Sequence, residues 1–196
     1  MFLCYNKLSN CAYYAFFTLC FCLGVIILVI LGIDPGYAIV GWGVIEYKDN
    51  AHRPVAFGAI TTEAHTDFNE RLKQIYDDTT ELLLRAKPDA VSIEKLYFNT
   101  NTTTAIYVAE ARGVILLAVR QAGVPIYEYT PLQVKTAVTG YGKALKPQVM
   151  EVTRRLLHLK ELPKPDDTAD ALALAITHTQ AAGTDLRDYM MKRGIK

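Results

Sequence analysis

Residues 11–33, "CAYYAFFTLCFCLGVIILVILGI", run without a charge until Asp34 stands at a Pro-Gly turn. A run of this length can span a bilayer. Its last part, "VIILVILGID", is also β-branched and unbroken and ends in a turn, the pattern of a strand buried on both faces. A strand over residues 29–33 leaves about 18 residues for a span, near the lower limit, with no linker between membrane and domain. No small-residue cleavage site follows, so a signal peptide fits poorly. The lone Lys7 ahead of the run would, by the positive-inside bias, put the domain on the outer side. Residues 1–28 therefore read as an extension upstream of the functional start, such as a mis-assigned start codon, with a membrane anchor as the alternative. Residues 29–183 read as one domain and residues 184–196 as a loosely held polar tail.

A chain of 196 residues holds one α/β domain with a full core. Its net charge of +1 offers no general pull on a polyanion, so any nucleic-acid surface must be local. Cys4, Cys11, Cys20 and Cys22 all precede residue 23. The remainder can build neither a disulfide framework nor a cysteine zinc site, which fits a reducing cytoplasm.

After the first strand, "AIVGWGVIEYKDN" and "RPVAFGAITT" predict two more strands of an antiparallel meander. Residues 67–86 place Phe68, Leu72, Ile75, Tyr76, Thr79, Leu82 and Leu83 on one helical face, and Asp67 with Glu70 resembles a capping box. "KPDAVSIE" is a short buried strand ending in Glu94. The polar loop "KLYFNTNTTT" leads to a helix over residues 105–123, with Gly123 as its C-cap. "VPIYEYT" is a fifth strand, and "PLQVKTAVTG", "KPQVMEVTRRLLHL" and "DTADALALAITHTQAA" are helices. This order predicts an α/β fold with a mixed sheet flanked by helices.

Two apolar strands end in an acid, Asp34 and Glu94. If the strands are parallel neighbours, both acids emerge at one sheet edge, where α/β folds place their sites. Asp167 and Asp170, three apart, share a helical face. Four converging carboxylates repel unless cations compensate them, and hard divalent ions, Mg²⁺ above all, suit oxygen donors. Two such ions can bind a phosphodiester, activate water and stabilise the leaving oxygen. Taken singly, Asp34 reads equally as a turn residue, Asp167 as a helix N-cap and Glu94 as an inert strand end. Their joint occurrence favours the site. The Pro-Gly turn lacks the lysine of a P-loop, and the chain has no room for the second domain of sugar-kinase-like ATPases.

Between Gln133 and Lys160 lie Lys135, Lys143, Lys146, Arg154, Arg155 and Lys160 against one acid, Glu151, the imbalance that phosphate contacts require. Lys135 and Lys146 flank the "TGYGKA" loop and are the better contacts; "TRRLLHLK" reads as a solvated helix face. Tyr97 and Phe98, just past Glu94, suit stacking on an unpaired base, although one of them folding into the core is the competing reading. Asn99, Asn101 and Thr102 could donate to phosphate. His52, His65, His158 and His178 lack ligand spacing and read as structural or solvent-facing.

"ILGIDPG", "SIEKLYFNTNTTTA", "EARGV", "YEYTPLQVKTAVTGYGKALKPQV" and "DDTADALALAITH" together resemble, in order and spacing, the motifs of the RuvC family of bacterial Holliday-junction resolvases. The likeness covers about residues 29–179. It implies a ribonuclease-H-like fold with a five-stranded mixed sheet, a cytoplasmic homodimer, and paired Mg²⁺-dependent nicking of two opposed strands at a four-way DNA junction. It also implies cooperation with the branch-migration proteins RuvA and RuvB. By position, Asp34, Glu94, Asp167 and Asp170 match the catalytic, metal-holding acids, with two Mg²⁺ per site and Mn²⁺ as a substitute. Lys135 and Lys146 match basic positions linked to junction binding, with Lys143 beside them. Tyr97 stands where the family has Phe, Asp166 falls outside the pattern, and the hydrophobic lead is a departure. Other readings are a ribonuclease-H-like nuclease acting on RNA, a junction-binding protein without catalysis, and a membrane-tethered protein.

Overall fold

The computed structural model describes residues 27–96 and 102–181. In chain order the elements are β1 (Leu28–Asp34), β2 (Ile39–Lys48), β3 (Ala51–Thr61), α1 (Phe68–Ala86), β4 (Ala90–Glu94), α2 (Thr102–Gln121), β5 (Ile126–Tyr129), α3 (Pro131–Thr139), α4 (Lys146–Leu156) and α5 (Asp166–Ala181). They build one mixed sheet in the order β3-β2-β1-β4-β5. The β1–β2 and β2–β3 pairs are antiparallel, whereas β1–β4 and β4–β5 are parallel. The five expected strands and the helical segments between them are all present.

β1 reads as an unbroken apolar run because both its faces are covered. Val29, Leu31 and Ile33 point into a core shared with Ile75 and Leu83 of α1 and Ile115 and Val119 of α2. Ile30 points the other way, with Ile45 of β2, toward Val138, Val149, Leu172 and Ile176 of the last three helices. Period-two alternation thus persists in β1 while polarity does not. The α5 helix is covered on every side in the same way: from Ala171 to Thr179 every residue is buried.

Local chemistry shifts several boundaries. Asp67 caps α1, but its side chain accepts from the Asn69 amide at 2.9 Å and no reciprocal bond from Glu70 forms, so the expected capping box is absent. A capping box does form at α3, where Thr130 and Gln133 exchange bonds of 3.1 and 2.9 Å. The α2 helix starts at Thr102 rather than at residue 105. Gly123, with φ of 72°, takes the left-handed C-cap geometry expected of it. The α5 helix starts at Asp166, which puts Asp167 inside the first turn and removes the simple N-cap reading of that residue. No helix among the described residues is long and apolar enough to cross a membrane. Residues 1–26 and 182–196, and with them most of the apolar lead and the polar tail, lie outside the described residues, as do Tyr97, Phe98, Asn99 and Asn101.

Candidate active site

The parallel register of β1 and β4 pairs Ile33 with Ile93, so Asp34 and Glu94 leave the sheet side by side. Across the antiparallel pair, Asp34 faces Gly41 of β2. A Cβ on Gly41 would lie 2.0 Å from the Asp167 carbonyl oxygen, and one on Gly32 would lie 1.9 Å from that of Ala171. Bare backbone at these two positions lets α5 rest directly on β1 and β2 and brings Asp167 and Asp170 to the edge that carries Asp34 and Glu94.

The electrostatics record this convergence. Burial raises the Asp34 carboxyl, and the charges of Glu94, Asp170 and Asp167 push it further, to about 8. The contact between the two carboxyls pushes Asp34 up and Glu94 down, so the pair disfavours carrying both charges at once. Glu94 is raised chiefly by burial, with Asp170 adding to it and Lys146 opposing. Asp170 is raised by burial despite a contact with Lys146. Asp34, Glu94 and Asp170, all pushed up by burial, make up with Asp167 a set of hard oxygen donors whose charge a divalent cation would compensate. Among the described residues no three His, Cys, Asp or Glu side chains stand close enough, as they are, to hold a metal ion. The Lys146 ammonium sits 2.8 Å from Asp170 and 3.7 Å from Asp166.

Lys146, the first residue of α4, is therefore a counter-ion inside the site as well as a basic residue on the loop. Burial alone would lower its pKa, but the Asp170 bond and the surrounding acids raise it. Lys135 is half-buried on α3 and Lys143 is exposed in the following turn. Arg154 and Arg155 both bind Glu151, Arg154 through two bonds of 2.8 Å, in keeping with a solvated helix face. His178 is buried with its Nδ1 2.8 Å from the Tyr129 hydroxyl, and His52 bonds Thr179 at 2.7 Å, both in structural roles. His65 and His158 are exposed.

One residue that sequence reasoning overlooked is Arg112, in "EARGV". Its side chain is only 12% exposed. Nε donates to the Glu94 carbonyl at 3.1 Å, and Nη2 lies 3.0 Å from Glu128 on β5. Arg112 thus clamps the end of β4 to α2 and β5 and orients the strand that presents Glu94. An arginine beside Ala111 in the middle of a largely apolar helix was the available signal. Arg112→Ala is expected to weaken Mg²⁺ binding about tenfold, as loss of an outer-shell support does, with Arg112→Lys recovering part of it. Equal affinities by calorimetric titration would show that the carbonyl contact positions nothing.

Residues 30–178 match the family model described as "Crossover junction endodeoxyribonuclease RuvC". The protein of that name from Brevibacillus brevis is 60% identical over 151 residues, which cover 77% of this chain and 91% of that protein. Its counterpart in Desulfitobacterium hafniense is 54% identical over 154 residues, 79% of this chain and 93% of the relative. Among solved structures, Thermus thermophilus RuvC in complex with a Holliday junction substrate superposes with a TM-score of 0.76 at 39% identity, covering 79% of this chain and 94% of that one. The sheet order and helical layers correspond to that ribonuclease-H-like fold. On sequence and structure together, this chain belongs to the RuvC family of crossover junction endodeoxyribonucleases.

Proposed function

We propose that this protein is a structure-selective endonuclease that resolves Holliday junctions by paired, Mg²⁺-dependent nicking of two opposed DNA strands in recombination and repair. The observation that carries the reading is the gathering of Asp34, Glu94, Asp167 and Asp170 at one sheet edge, with the Lys146 ammonium against Asp170. Those four acids would hold Mg²⁺, two per site with Mn²⁺ able to substitute, which would supply Lewis acidity that lowers the pKa of a water and neutralises charge on the leaving oxygen. Asp34 and Glu94 would hold the ion from the two neighbouring strand ends. Asp167 and Asp170, fixed on one buried helix, hold their spacing as substrate arrives. Lys146 offers its charge to the phosphate next to the acids it touches. Lys135 and Lys143 extend that positive surface along the α3–α4 segment, and Tyr97 and Phe98 follow Glu94 in the chain as base-stacking residues.

The protein acts as a homodimer in the cytoplasm, with RuvA and RuvB as partners. Support for the dimer comes from α2, which buries Ala111, Ile115, Ala118 and Val119 against the core yet leaves Ile106 54% and Leu117 51% exposed. An apolar stripe on a helix that is also apolar inside suits an isologous contact, which presents two sites to two symmetry-related strands. Leu117→Lys is expected to give a monomer by light scattering and to replace paired nicks by slow single ones.

The test is a synthetic four-way junction with and without Mg²⁺, beside Asp34→Asn. Symmetry-related nicks that need both the metal and Asp34 support the reading, and binding without cleavage by the wild type overturns it. Lys135→Ala combined with Lys146→Ala should weaken junction binding and reduce the slope of log affinity against log salt by about 2. An unchanged slope would mean that neither lysine meets phosphate.

A further inference from the structure

Between the end of α3 and the first turns of α4 lies an open groove of about 450 Å³. Its walls include Tyr141, Ala144, Pro147, Gln148 and Val152, with the ion pair of Glu151 and Arg155 among them. Resting on the resolvase reading, we propose that this groove receives an unpaired nucleobase of the cleaved strand, stacked on Tyr141, within one or two nucleotides of the scissile phosphate.

The first support is the rigidity of the tyrosine's mounting. Tyr141 is 59% exposed, yet its backbone is fixed on every side. Its amide donates to Thr139 Oγ1 at 3.1 Å, a hydroxyl whose own proton goes to the Lys135 carbonyl at 2.7 Å, and its carbonyl accepts from the Ala144 amide at 3.0 Å. Gly140, at φ of 73°, turns the chain on leaving α3, and Gly142 lies so close to Leu132 that a Cβ there would meet it at 2.6 Å. A large aromatic ring held toward solvent by an ordered turn contributes little to the core. It is a preformed stacking surface, and stacking on it costs little ordering entropy.

The second support is position. Lys146, whose ammonium touches Asp170, is the first residue of α4, and Pro147 and Gln148 of the groove follow it directly. A strand whose phosphate lies at the acids therefore passes the groove within a nucleotide or two. Leu145, 68% exposed, stands between the two and offers apolar surface along the way. Lys143 and Lys146 bracket it, so charge favours a polyanion over a second protein surface.

The third support is a directed polar group. The Leu145 amide donates to Gln148 Oε1 at 2.8 Å. With the oxygen so engaged, the Gln148 amide NH₂ is the part left to face a ligand, a donor suited to a base oxygen or ring nitrogen. The groove thus combines a stacking face, an apolar floor and a hydrogen-bond donor, the elements of single-stranded base recognition.

The experiment is cleavage of a panel of four-way junctions that vary the bases flanking the cut, by wild type, Tyr141→Ala, Tyr141→Phe and Gln148→Glu. Gln148→Glu keeps an acceptor for the Leu145 amide, removes the donor and adds a negative charge, so its readout is the order of the panel rather than the overall rate. Wild type should rank the panel by base. Tyr141→Ala should lose about tenfold on the preferred junction and flatten the ranking, Tyr141→Phe should restore both, and Gln148→Glu should reorder it. Melting temperature and oligomeric state should not change in Tyr141→Ala. A wild type that cuts while Tyr141→Ala and Gln148→Glu keep its ranking overturns the groove assignment alone. A Tyr141→Ala protein that becomes monomeric reassigns the surface to a second copy and also overturns it. A wild type that cuts no junction overturns the resolvase reading and this proposal with it.

Discussion

Asp34→Asn is expected to reduce junction cleavage by about a thousandfold or more, the scale of losing an electrostatic group at the reacting centre, while leaving junction affinity nearly intact. The same change should stabilise the metal-free protein at alkaline pH. In the fold the Asp34 carboxyl is raised to about 8 from 3.8, first by burial and then by Glu94, Asp170 and Asp167. Between those values the folded chain holds a proton that the unfolded chain has released. Stability from this group is therefore fully present below pH 3.8, falls as pH climbs, and is lost above about 8. Asparagine stays neutral throughout. The melting temperature of Asp34→Asn should exceed that of wild type at pH 8, and the gap should close toward pH 5. Mg²⁺ should raise the wild-type melting temperature more at pH 8 than at pH 6, because metal and proton compete for Asp34. Parallel melting profiles of the two proteins across this range would show that Asp34 is an ordinary solvated carboxylate.

Gly32→Ala should produce the largest loss of stability among conservative changes in the sheet. The added methyl would sit 1.9 Å from the Ala171 carbonyl oxygen and 2.9 Å from the Ala175 amide nitrogen. Both are backbone atoms of α5, so no side chain can turn aside. The helix must lift from β1, and we expect a cost of about 3 kcal/mol, the upper part of the range for overpacked cores. Asp167 and Asp170 travel with the helix, so cleavage should fall with stability and excess Mg²⁺ should not restore it. Denaturant unfolding and a Mg²⁺ titration of activity check both halves. A Gly32→Ala protein with wild-type stability would mean that α5 does not rest on bare backbone.

The two predictions separate what each kind of residue contributes. Asp34 works through charge at a strand end, and its place could be read from ten residues of "VIILVILGID". Glu94 was legible for the same reason, because an apolar strand that stops at an acid exposes that acid at the sheet edge. Asp167 and Asp170 were legible as a helical pair from their spacing. Arg112 was less so: its partner is a carbonyl 18 residues away, reached only because α2 packs behind β4. Lys146 was visible as a basic loop residue but not as the counter-ion of Asp170, since α4 and α5 meet only in the folded chain. The capping box forecast at Asp67 failed while one formed at Thr130, because which side chain reaches a free amide depends on rotamer and on the entry angle of the chain.

By itself the sequence determined the elements of this protein, their order and the acids they carry. Period-two and 3.6-residue patterns, turn residues and strand-end carboxylates are written within windows of a few residues. The tertiary structure alone decided which of those acids shift one another's ionisation, which cation stands among them, and that a groove opens beside them. Those outcomes depend on bare glycine backbone meeting α5 and on the docking of α4 against it, contacts between segments more than a hundred residues apart in the first case and set by shape in both.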